Sequence, residues 1–146
     1  MNNKNSLERF IIAQSSSYNT ALKEIKAGQK RSHWIWYIFP QITGLGISRI
    51  SEEYAIKNLA EAKAYIADRT LGPRLLEISE ALAGLDLSDP LLVMGFPDNL
   101  KLRSSMTLFA IAAPEYSVFQ RVLDKYYGGE MDKKTIDILR KQGYKN

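Results

Sequence analysis

The 146-residue sequence contains no cysteine and a single histidine, His33. The first absence excludes disulfides, thiolate nucleophiles, iron–sulfur clusters and cysteine-based zinc sites, and is compatible with a reducing compartment. The second, with no tight carboxylate cluster beyond Glu52-Glu53, leaves zinc or two-metal chemistry poorly supplied, so no metal site is expected. Long apolar runs are lacking too: the longest, Trp34 to Pro40, falls far short of the roughly 18–20 residues that cross a bilayer. The opening MNNKNSLERF has no apolar signal-peptide core, which makes the cytoplasm the expected location and a membrane partner unexpected. Charge of one sign is not massed. The net charge is +4, but Lys and Arg fall singly or in pairs such as Lys133-Lys134, a thin basis for a nucleic-acid groove. Repeats, low-complexity tracts and linkers are missing, so one domain over residues 1–146 is expected.

What is present is a globular composition, 45% apolar and 25% charged, with a helical period almost throughout. Leu7, Phe10, Ile11 and Gln14 follow i, i+3, i+4, i+7 behind Asn5 or Ser6 as cap; Tyr18, Ala21, Leu22 and Ile25 repeat the pattern before Gly28. Asn58 can cap a helix through Leu59, Ala62 and Ile66, whose Glu61 and Lys63 should stay in water. Leu71, Leu75, Ile78, Leu82 and Leu85 form an apolar stripe with Pro73 in its first turn. Ser88-Asp89-Pro90 predicts a short helix that Gly95 ends, Pro97 opens another over 98–113, Val118 to Tyr126 stops at Gly128, and Asp132 can cap the last. Arg49 to Ile56 reads as extended or helical. No strand alternation stands out, and the fold class is all-α: one compact multihelical domain of about seven to eight helices.

Two stretches carry candidate chemistry. In KRSHWIWYIFPQITGLGIS, residues 30–48, both tryptophans, the histidine and a Gly-Leu-Gly turn lie together. Pro40 confines any helix here to two turns; a helix over 33–38, the favoured arrangement, would put His33, Trp36, Tyr37 and Pro40 on one face and Trp34, Ile38 and Gln41 on the other, whereas in an extended segment the sides would alternate. The rings are either core filling or the wall of a pocket, since ligand sites are mostly apolar with a few placed polar groups. Gly44 and Gly46 let backbone approach a ligand, or merely form a turn, without the third glycine of a dinucleotide fingerprint. In PDNLKLRSSMTLFA, residues 97–110, helical spacing puts Lys101, Ser104, Ser105 and Leu108 on one side and Leu102, Met106 and Phe109 opposite. That strip either packs closely with Lys101 reaching water, or faces a ligand with Lys101 or Arg103 meeting an anion. A serine nucleophile is disfavoured because the lysine precedes the serines, the reverse of S-x-x-K.

FIIAQ with Tyr18, the run GQKRSHWIWYIFPQITGLGIS, then EYAI, EAKAYI, LGPRL and KLRSSMTLF, closely resembles the bacterial domain of unknown function family 1810, some members of which carry the label calpastatin. The likeness covers nearly the whole chain. Its H-W-x-W-x-x-F-P-Q-x-x-G-L-G-x-S and K-L-x-S-S-M-T-L-F motifs fall on His33, Trp34, Trp36, Phe39, Pro40, Gln41, Gly44, Leu45, Gly46 and Ser48, and on Lys101, Ser104, Ser105, Met106, Thr107 and Phe109. The resemblance implies a multihelical domain and supplies no activity. A folded chain of this composition is also unlike a disordered protease inhibitor.

The residues lead to one expectation. A pocket should form where 33–48 meets 101–109 and hold a small polar, anionic or nucleotide-like ligand. Trp34 or Trp36 would stack it and Gln41 read an edge, with Gly44, Gly46, Ser48 and Thr107 beside them. Lys101, Ser104 and Ser105 would hold the anion, and His33, the one side chain whose unperturbed pKa suits acid–base work near pH 7, would be the catalytic candidate. The rival expectation is a protein- or nucleic-acid-binding module without catalysis. Cofactor and oligomeric state stay open.

Overall fold

The computed structural model describes residues 2–145, with side chains from residue 7. The helical period is realised as ten helices among the described residues: α1 (Asn2–Ser15), α2 (Tyr18–Lys26), α3 (Ile35–Ile38), α4 (Arg49–Glu53), α5 (Leu59–Ala67), α6 (Leu71–Ala83), α7 (Pro90–Met94), α8 (Asp98–Ala112), α9 (Val118–Tyr127) and α10 (Lys133–Lys141). The expected number was about seven to eight; the short α3 and α4 help make the difference, because their four and five residues are too few to show a period. α1 starts ahead of the expected cap at Asn5 or Ser6, whose side chains lie outside the described ones.

Local chemistry sets most of the ends. Asn58 accepts the Glu61 N–H at 2.9 Å, Asp89 that of Leu91 at 2.9 Å and Asp132 that of Thr135 at 3.0 Å. Gly128, at φ +63°, supplies the left-handed residue that closes α9. Residues 49–56, which the sequence reads as extended or helical, are the helix α4, a turn at Tyr54 and, after Ala55, the bridge residue Ile56. Ile56 pairs in parallel with Ile42, donating to the Gln41 carbonyl and accepting from the Thr43 N–H, both at 2.8 Å.

α8 lies at the centre, against α9, α5, α7, α10 and α3. It is therefore buried almost all round: Leu102 and every residue from Ser104 to Phe109 are buried. This corrects the expected polar strip. Ser105 and Leu108 are 0% exposed, so only the Lys101–Ser104 end of that side can meet a ligand. Glu61 is a second correction. Expected in water, its carboxylate is 8% exposed; it accepts the Lys57 N–H at 2.8 Å and lies 3.5 Å from Arg9. Arg9 in turn donates to the carbonyls of Glu53 and Ala55 at 2.8 and 2.7 Å, so the pair ties α1 to the stretch between α4 and α5. Gln14 of FIIAQ does similar work, donating to the Tyr37 carbonyl at 2.7 Å and to the Tyr65 hydroxyl at 2.9 Å.

The loop from α2 into α3 is organised by Glu24. Its carboxylate accepts from the N–H groups of Arg31 and Ser32, the Ser32 hydroxyl and the Trp34 indole, at 2.9, 3.0, 2.5 and 2.8 Å. Burial by itself would raise its pKa, but these four donors outweigh burial and hold it down to about 2. A carboxylate depressed in the folded state stabilises fully above its ordinary value of 4.5 and loses that contribution as pH falls through about 2. Glu24→Gln is thus expected to cost about 2 kcal/mol near neutral pH. Its melting temperature should converge on wild type between pH 4.5 and 2; a gap constant over that range would contradict the assignment.

Candidate functional site

The Ile42–Ile56 pairing fixes Gln41 on one wall of a cleft of about 650 Å³, whose other walls come from the first half of α8 and the start of α10. Leu45, Pro97 and Leu100 give it an apolar edge. Its polar lining is Gln41, Ser104, four cations (Lys101, Arg103, Lys133 and Lys134) and two carboxylates (Asp132 and Asp137). α10 is brought there by packing on α8 and by the Asp132 N–H, which donates to the Thr107 hydroxyl at 2.8 Å.

The cations are not equivalent. Arg103 is 3.2 Å from Glu130 and 4.0 Å from Asp132, and its guanidinium lies 5.9 Å from the Tyr127 ring centroid. Its Nε–H is shielded from solvent without an acceptor among the described residues. Among the described residues Lys101, Lys133 and Lys134 have no carboxylate within ion-pair distance. Lys101 Nζ instead lies 5.2 Å above the ring of Trp36, whose indole N–H is also shielded and without an acceptor among the described residues. Three ammonium groups without a carboxylate partner among the described residues favour negative charge in this space.

The predicted site residues divide. Gln41, Lys101 and Ser104 line the cleft, while Trp36, Gly44 and Gly46 line a smaller chamber behind Gln41. Trp34 does not join them: it is 1% exposed, with its N–H on Glu24, so it has no open face for stacking. Ser105 is core. Thr107 is buried and used internally, donating to the Arg103 carbonyl at 2.8 Å while it accepts from Asp132. Ser48 is exposed and caps α4, accepting the Ser51 N–H at 3.2 Å. His33 is exposed and belongs to the lining of neither cavity. Asp132, Lys133, Lys134 and Asp137 carried no such signal in the sequence, where Lys133-Lys134 reads as a solvated pair; only the packing of α10 places them opposite Lys101.

These features define an all-helical protein with a cation-rich cleft at one end of its central helix. The chain belongs to the protein family of unknown function DUF1810, whose model matches residues 4–139. A crystal structure of the conserved hypothetical protein Rv1873 from Mycobacterium tuberculosis, at 1.38 Å, is similar along nearly its whole length. It shares 43% sequence identity with a TM-score of 0.90, over 92% of this chain and 96% of that one. No curated protein matches. Among the described residues no helix is long and apolar enough to cross a membrane.

Proposed function

We propose that the cleft binds a small anionic ligand, with Lys101, Lys133 and Lys134 as its charge partners and Gln41 and Ser104 as neutral contacts. The observation that carries this reading is the meeting of both sequence motifs on one 650 Å³ cleft where three ammonium groups are left without carboxylates among the described residues. A cleft of that size suits a small molecule with a few placed polar contacts. The reading is one of binding, and His33 has no step in it.

A thermal-shift screen of phosphate, nucleotides, NAD, ADP-ribose and sugar phosphates tests it, because a ligand of the native state raises the melting temperature by mass action. At about a hundredfold excess over Kd the rise should be about 8 °C. Lys101→Ala and Gln41→Ala should each lose most of that rise while melting near wild type without ligand. The absence of any rise at millimolar concentration would turn attention to the rival reading, a protein-binding module. Leu91, Leu92, Phe96 and Leu100 favour that rival, being exposed within ten residues of chain, Phe96 at 74% and Leu100 on the cleft's edge.

A further inference from the structure

Gln41 belongs to two cavities at once: the open cleft and, behind it, a chamber of about 10 Å³. A space of that size admits one oxygen-sized group and nothing larger. Among the described residues no hydrogen bond holds the Gln41 amide, so this side chain, shared by both linings, is free to change rotamer.

The chamber has an indole in its wall and no charge in its lining. Trp36 lines it, and the Trp36 indole N–H is shielded from solvent with no acceptor among the described residues, whereas the Trp34 indole N–H is bonded to Glu24. None of the lining residues carries a charge, and the Lys101 ammonium stands over the Trp36 ring without being part of the lining, so an ionised oxygen there would be desolvated without a direct ion-pair partner. A neutral oxygen would satisfy the indole at no such cost. Stacking is a poor use of the same ring, since the Lys101 ammonium already lies 5.2 Å above it. The Gly-Leu-Gly turn keeps the chamber small but open. Gly44 holds φ +98°, and a Cβ on Gly46 would fall 2.6 Å from the Ser51 side chain, so neither position can carry a side chain without rearranging this wall.

We propose that the ligand is a phosphate ester bearing a neutral hydroxyl or carbonyl oxygen. Its charged end lies among Lys101, Lys133 and Lys134, and its neutral oxygen passes Gln41 to accept the Trp36 indole N–H. This rests on the anion-binding reading above and adds to it a specificity-determining residue. A site that offers a shielded donor rejects analogues that lack the matching acceptor, because the donor is then left unpaired.

The test uses the whole ¹⁵N-labelled chain and two probes, inorganic phosphate and ribose 5-phosphate. The two tryptophans give two indole resonances, assigned with Trp36→Phe. Ribose 5-phosphate is expected to bind about tenfold more tightly than phosphate and to move the Trp36 resonance while leaving that of Trp34 in place. Phosphate should leave the Trp34 resonance in place and move that of Trp36 much less than ribose 5-phosphate does, the residual shift coming from Lys101 over the ring. Trp36→Phe should bring ribose 5-phosphate down to the affinity of phosphate without weakening phosphate, and Lys101→Ala should weaken both. If both probes bind but the Trp36 resonance stays still, or the affinity ratio survives Trp36→Phe, the chamber proposal is wrong and the anion cleft stands. If neither probe binds wild type, both are wrong.

Discussion

Gly72→Ala is expected to destabilise the protein by about 3 kcal/mol or more, at the upper end of what overpacking costs. The second residue of α6 packs so closely on the end of α5 that a Cβ at position 72 would lie 2.0 Å from the Ile66 carbonyl oxygen and 3.0 Å from its carbon. Both are backbone atoms, so no rotamer change relieves the clash. Nor can the link give easily: Asp68 accepts the N–H groups of Thr70 and Leu71, each at 2.9 Å, and the Gly72 N–H reaches the Asp68 carbonyl at 3.0 Å. The helices must separate or the turn must open. Either change disturbs Tyr65 and Leu71, both 0% exposed. Urea unfolding measures the effect against Gly84→Ala at the other end of α6. There a Cβ would meet carbonyl oxygens at 3.4 and 3.8 Å, ordinary contacts, and the change should stay within about 0.5 kcal/mol. A Gly72→Ala protein as stable as Gly84→Ala would show that the approach is not as close as described.

Lys30→Met should cost about 3 kcal/mol, as breaking a largely buried ion pair does by removing one partner. The Lys30 side chain is 5% exposed, and its ammonium lies 2.8 Å from Asp98, whose side chain is 17% exposed. The same ammonium donates to the Ser32 carbonyl and sits 4.8 Å from the Trp34 ring centroid. The Lys30 N–H meanwhile reaches the Val93 carbonyl at 2.7 Å. One residue thus joins the loop before α3 to α7 and to the first turn of α8. Methionine keeps the apolar stem but leaves the Asp98 carboxylate without its partner. Lys30→Met combined with Asp98→Asn should recover at least half of the loss, because the stranded charge is gone. A double variant no better than the single one would mean that Lys30 acts through packing on Trp34. The pair also bears on the site. Lys101 follows Asp98 by one helical turn, so in Lys30→Met the cleft should bind its anion more weakly even where the protein stays folded.

Helix ends were legible because they are settled within a few residues. Asn58, Asp89 and Asp132 cap the helices that follow them, and Gly128 stops α9, through hydrogen bonds and backbone angles that belong to the segment itself. Trp34 and Trp36 show the opposite case. They stand two residues apart in one motif, yet one is core and the other edges a cavity, because Glu24 and Lys30 hold the first from outside the aromatic run. Ser104 and Ser105 differ likewise: adjacent in sequence, one lines the cleft and the other is enclosed by neighbours of α8 from distant parts of the chain. Glu61 looked solvated because nothing local reveals Arg9 across the fold.

By itself the sequence determined the all-helical class, the places where most helices start and stop, and the two motifs that hold Gln41, Lys101 and Ser104. Helical period, caps and glycine turns act over one or two turns of chain, and that range is open to direct reading. The tertiary structure alone decided which ring is buried, which serine faces the cleft and that Lys133 and Lys134 stand across from Lys101. Burial and charge pairing depend on whichever groups come near in space. Here those groups arrive from α2, α7 and α10, whose distance along the chain says nothing about their distance from α8.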